Sequence, residues 1–81
     1  MTALTDYPTR LPRGLYRHYK GHDYRVLGTA IHSETEEVMV LYLPLYQDQP
    51  HLWVRPLSMF CESVQTENGP IPRFQLISAD A

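Results

Sequence analysis

No stretch of ten residues in this 81-residue chain carries the 3.6-residue apolar period of a helix. Seven prolines and four glycines cut it instead into short segments. Within those segments apolar residues alternate, the period-2 pattern of pleated strands. A chain of this kind has no helical layer with which to cover a sheet, so its strands must curve on themselves to enclose a core.

Residues 1–13, with Pro8 and Pro12 among small and polar residues, read as an extended N-terminal arm, and residues 14–81 as a single domain. Gly14–Tyr19 and Tyr24–His32 form a hairpin about the turn Lys20-Gly21-His22-Asp23. In its second strand Tyr24, Val26, Gly28, Ala30 and His32 share one face, and Arg25, Leu27, Thr29 and Ile31 the other. Gly28 marks a bulge, a sharp bend or a close backbone approach. The polar run His32–Glu37 places Ser33 and Glu36 at capping-box spacing, consistent with a single helical turn.

Val38–Tyr46 is apolar on both faces, so it is a strand covered twice or one whose aromatic face meets a ligand or partner. Pro44 puts its second half at an edge or a bulge. Leu52–Arg55 is a short strand ended by Pro56, Leu57–Phe60 a helical or 3₁₀ turn with Phe60 plugging the core, and Asn68-Gly69 a turn between two further strands. The whole predicts an all-β fold, a small antiparallel SH3-like barrel of five or six short strands with one helical or 3₁₀ turn.

Composition, 43% hydrophobic and 20% charged, suits one globular domain. The longest apolar stretch, residues 38–46, falls far short of the roughly 20 residues of a membrane span. Met1–Pro8 has neither the basic start nor the apolar run of a secretory signal. Cys61 is the sole cysteine, so no internal disulfide forms and the expected home is cytoplasmic. Net charge is −2, with five bases against two acids in residues 1–25 and two against seven in residues 26–81. That balance argues against a general nucleic-acid binder.

His18, His22, His32, His51 and Cys61 are the strong candidate metal ligands. His18 and His22 would share a face only on a helix, which Gly21 denies, so neither a metal nor another cofactor is expected. Cys61, after Phe60, reads as a small buried hydrophobe. His32-Ser33-Glu34-Thr35 is the densest chemical cluster, able to bind a polar ligand or to close a hydrogen-bonded turn. Trp53 and Arg55 share a strand face and offer an indole and a guanidinium to a planar or anionic group. They are expected to gather with His18 and Tyr42 on one outer patch.

The string Gly14-Leu15-Tyr16-Arg17-His18-Tyr19-Lys20-Gly21, then Tyr24–Gly28, His32–Thr35, Tyr42, Leu45-Tyr46, Leu52–Pro56, Met59-Phe60 and Pro72–Phe74, resembles the small bacterial family called domain of unknown function 1653. The resemblance covers residues 14–77 and implies an SH3-like barrel and no established activity. Ile31 and Leu43 depart from it, standing where polar residues are more usual in that family.

Three functions are open to such a chain. The first is a non-enzymatic binding or interaction module using His18, His32, Ser33, Glu34, Thr35, Tyr42, Trp53 and Arg55 to receive a small polar ligand, a peptide or a protein. The second is a small hydrolase or transferase with His32 as acid-base and Arg55 holding an anion, although no nucleophile and base pair is evident. The third is a structural homodimer through strand 38–46.

Overall fold

The computed structural model describes residues 11–80. Seven strands and one short helix follow in order: β1 (Gly14–His18), β2 (Asp23–Ile31), β3 (Val38–Pro44), β4 (Trp53–Pro56), α1 (Leu57–Phe60), β5 (Ser63–Thr66), β6 (Gly69–Pro72) and β7 (Phe74–Ala79). Five of the strands form one antiparallel sheet in the order β4-β3-β2-β1-β7, and β5 and β6 pair separately. The fold is all-β as expected, with more strands than five or six because the Asn68-Gly69 turn closes a hairpin of its own. The sheet is not a closed barrel, and β4 and β7 are its edges.

It is nonetheless strongly rolled. Four strand spacings of about 4.8 Å would hold β4 and β7 about 19 Å apart in a flat sheet. Arg55 on β4 nevertheless brings its guanidinium carbon to 5.7 Å from the ring centroid of Phe74 on β7. Two irregularities accompany this curvature. β2 shifts register against β3 between Val26 and Gly28, and β7 shifts against β1 opposite the Leu15–Tyr16 step. Gly28 sits at φ 152°, a conformation side chains disfavour, which explains the glycine at this bulge.

The extra residue corrects the sequence reading of β2. Strict alternation put Thr29 and Ile31 opposite Tyr24 and Val26, but one inserted residue flips every later side chain. Thr29 therefore pairs with Val40, and Ile31 with Val38, on the face that carries Tyr24 and Val26.

That concave face holds the core: Tyr16, Tyr24, Val26, Val40, Tyr42, Phe60 and Phe74, with Leu11 and Leu57 packed against it. α1 delivers Phe60, buried to 1% exposure, into the middle of the rolled sheet, as expected. Its ring meets Tyr16 and Tyr42 edge-on at 5.6 Å each. Cys61 departs from its expected place: it follows the helix as the C-cap and is exposed. Pro44, with no N–H to donate, ends β3 and is buried.

The expected arm over residues 1–13 lies, for residues 1–10, outside the described residues. Residues 11–13 are tied to the domain. Leu11 packs on the core, Pro12 O accepts from the Tyr16 hydroxyl at 2.7 Å, and Arg13 O accepts from Asp80 N–H at 2.8 Å. Among the described residues no helix is long and apolar enough to cross a membrane.

Candidate functional site

Strand register decides which polar groups can meet. Trp53 pairs with Tyr42 and Arg55 with Val40, so indole and guanidinium both project from the concave, core-bearing face. His18 pairs with Phe74 across β1 and β7, and its ring meets that of Phe74 edge-on at 4.9 Å and that of Tyr24 at 6.3 Å. The rolled sheet thus brings together three of the expected groups, His18, Trp53 and Arg55, around a floor of Tyr24, Tyr42 and Phe74. Floor rings lie 5.5 to 5.9 Å apart, all in edge contact.

Tyr42 contributes differently from expectation. It is 2% exposed, part of the core, with its ring 6.2 Å from that of Trp53. Trp53 keeps 42% of its surface open. The face is therefore an aromatic floor with a polar rim, in place of an outer patch. Tyr46 and His22 extend the rim, their rings 4.2 Å apart, and the Tyr46 hydroxyl lies 3.3 Å from that of Tyr24. Burial, then that hydrogen bond, pushes the Tyr24 hydroxyl well above the ordinary phenol range, so it stays protonated and able to donate.

In a chain of net charge −2, three arginines of the described residues are paired with carboxylates, and Arg55 on this rim is not one of them. Arg17 meets Asp23 at 2.8 Å, Arg25 meets Asp80 at 2.8 Å and Arg73 meets Glu62 at 4.0 Å. None of the ion pairs among the described residues involves Arg55, which is half-buried over Phe74. The buried Nε of Arg73 has no hydrogen-bond partner among the described residues. His18 is held below its ordinary value of 6.5 by burial first, then by the positive fields of Arg55, Arg73, Lys20 and His22. Its Nδ1 accepts from Lys20 N–H at 3.2 Å, which leaves Nε2 to carry the proton of the neutral ring. His18 also borders an open cavity of about 320 Å³, lined as well by Arg17, Tyr19, Ile71, Pro72 and Gln75.

His32-Ser33-Glu34-Thr35 lies elsewhere. It forms the β2–β3 turn, about 25 Å along β2 from the end at which His18 sits. His32 Nδ1 accepts from Glu34 N–H at 3.2 Å and Thr35 N–H at 3.3 Å, and Thr35 Oγ1 accepts from Glu37 N–H at 3.3 Å. Glu36 adopts φ 62° and donates its N–H to His32 O, closing the turn without a helix. Among the described residues no hydrogen bond or ion pair joins this turn to Trp53 or Arg55, so the sheet separates two groups that the sequence reading placed on one surface.

Sequence reasoning missed Tyr24, Phe74 and Arg73. The signal for Tyr24 was its place on one face of the second strand with Val26; register sets it opposite Tyr16 and Pro44, with its ring 5.5 Å from that of Tyr42. Arg73 and Phe74 come from the far end of the chain and could be placed only by the curvature.

A family model described as "Protein of unknown function (DUF1653)" matches residues 14–76. A crystal structure of a DUF1653-family protein from Bordetella bronchiseptica is similar to this chain at 39% identity and a TM-score of 0.75, over 98% of this chain and 97% of that one. Comparison with curated proteins gives no match.

Proposed function

The chain belongs to the DUF1653 family of proteins of unknown function, and from its concave face we propose that it is a non-enzymatic binding module for a small ligand that joins an anionic group to a planar one. The observation that carries this reading is Arg55. A guanidinium has five N–H donors, and this one is half-buried over Phe74 with no carboxylate paired to it among the described residues. A carboxylate or phosphate would satisfy it in a bidentate fork. The open flank of Trp53 supplies a stacking surface for the planar part. His18 Nε2–H and the raised Tyr24 hydroxyl add neutral donors nearby. Among the described residues of the rim no nucleophile stands beside a base, which favours binding over catalysis.

Trp53 is the sole tryptophan, so its emission reports on this face alone. Titration with benzoate, inorganic phosphate and a mononucleotide should give a saturable change for at least one probe. Affinity should fall at least tenfold in Arg55→Gln, with the fold unchanged by circular dichroism. Absence of saturation by all three probes up to millimolar concentration, or equal affinity in Arg55→Gln, would overturn the reading.

A further inference from the structure

A second guanidinium stands at the His18 end of the concave face, and it bears on which anion that face can hold. Arg55 rests over the Phe74 ring at 5.7 Å, and His18 meets the same ring edge-on at 4.9 Å. Arg73 immediately precedes Phe74. Its carbonyl accepts the Tyr19 N–H at 2.9 Å and its own N–H donates to Glu62 O at 2.9 Å, so the backbone fixes it next to the end of β1.

Arg73 is poorly neutralised where it lies. Its paired oxygen, Glu62 Oε2, is 4.0 Å away, beyond hydrogen-bond length, on a side chain 51% exposed. Its buried Nε has no partner among the described residues. Asp23, the acid of the neighbouring strand end, is already held by Arg17 at 2.8 Å. The result is felt at the imidazole. After burial, the groups that depress His18 are Arg55, Arg73, Lys20 and His22, and no carboxylate stands among them.

Charge and shape then choose between anions. A carboxylate brings a single charge and a flat pair of oxygens, which one guanidinium satisfies in a bidentate fork. Seated on Arg55, it would leave Arg73 without a hydrogen-bonded counter-charge. The diester of a nucleic-acid backbone likewise carries a single charge per phosphate. A phosphate monoester carries about two charges near neutral pH and about three terminal oxygens. It can answer both guanidiniums and still accept from His18 Nε2–H or the Tyr24 hydroxyl.

Resting on the binding reading above, we propose that the anionic group of the ligand is a phosphate monoester borne on an aromatic ring system and held by Arg55 and Arg73 together. Trp53 emission tests it with probes that share one ring: phenyl phosphate, benzenesulfonate and benzoate. Benzenesulfonate has the oxygens of a phosphate but a single charge, so it separates shape from charge. At pH 7.5, above the second ionisation of a phosphate monoester at about 6, phenyl phosphate should bind at least about tenfold more tightly than either of the others. Inorganic phosphate should bind more weakly than phenyl phosphate, having no ring to stack on Trp53. Arg73→Gln, folded by circular dichroism, should weaken phenyl phosphate by about fivefold or more and benzoate by less than about twofold. Should that variant fail to fold, phosphorus-31 titration of phenyl phosphate on the native protein serves instead: its midpoint should fall on binding, because the cations favour the dianion. Equal affinity for phenyl phosphate and benzoate, an unshifted phosphorus midpoint, equal loss of both probes in Arg73→Gln, or tighter binding of a single-stranded oligonucleotide would each overturn the phosphate assignment and leave the binding module standing. No saturation by any probe would overturn both.

Discussion

The rings of Phe60 and Phe74 lie parallel, 4° apart in plane with centroids separated by 4.1 Å. One ring comes from the short helix and the other from the start of the edge strand β7, so this stack fastens the far end of the chain to the middle of the sheet. On the same ring of Phe74 rests the guanidinium of Arg55. Core and candidate site are thereby one construction, and a change in the stack should be felt in both.

Phe60→Ala should cost about 3–5 kcal/mol, the usual range for deleting a fully buried aromatic side chain, a large part of the stability of a domain this small. Chemical denaturation measures it. Phe60→Leu should lose less, while Met59→Ala, one residue earlier and 47% exposed, should lose little.

Gly14 should tolerate no side chain. Its φ is 145°, and a Cβ there would strike Ser78 O and come within 2.9 Å of Ala79 Cα, both backbone atoms of the paired β7. Gly69 is also at positive φ but opens to empty space. Gly14→Ala should therefore lower the melting temperature well beyond Gly69→Ala. The latter carries only the backbone strain of about 1–3 kcal/mol.

The contrast between these two glycines marks what a sequence can convey. Alternation and turn residues made the hairpin, β3, the Leu57–Phe60 turn and the Phe60 plug legible, because those are local properties of the chain. The faces beyond Val26 were not legible, since one inserted residue inverts them and leaves no mark except Gly28. The pairing of Trp53 with Arg55 was readable from their spacing. Their neighbours Phe74 and Arg73 were not, because only the rolling of the sheet carries β7 across to β4. Cys61 was misplaced for a related reason: Phe60 points inward on a helical turn, and its successor rotates out to solvent.

Stability should fall with acid in part through His18. Its folded-state value lies below the ordinary 6.5, so the unfolded chain takes up the proton first. Its full contribution is present above pH 6.5 and is lost as pH falls from there towards the lowered folded value. Thermal melts between pH 7.5 and 5 should show a smaller decline in His18→Gln than in the native protein. An equal decline in both would assign the dependence to other groups.

Cys61, exposed beyond the helix, should react stoichiometrically with a thiol reagent in the native protein. Its rate should be within about tenfold of that in denaturant, as expected of a solvent-exposed thiol. Protection by several orders of magnitude would mean that the helix terminus packs differently.

Central to the proposed function is an anion seated on Arg55, whose guanidinium meets the same Phe74 ring as His18, so the imidazole should sense it. NMR titration of the His18 imidazole, with and without saturating benzoate or phosphate, tests it most directly. An anion seated there favours the protonated ring, so the midpoint should start below 6.5 and rise when ligand is bound. The rise should be abolished in Arg55→Gln. A midpoint unmoved by ligand that demonstrably binds, or moved equally in the Arg55 variant, would contradict it.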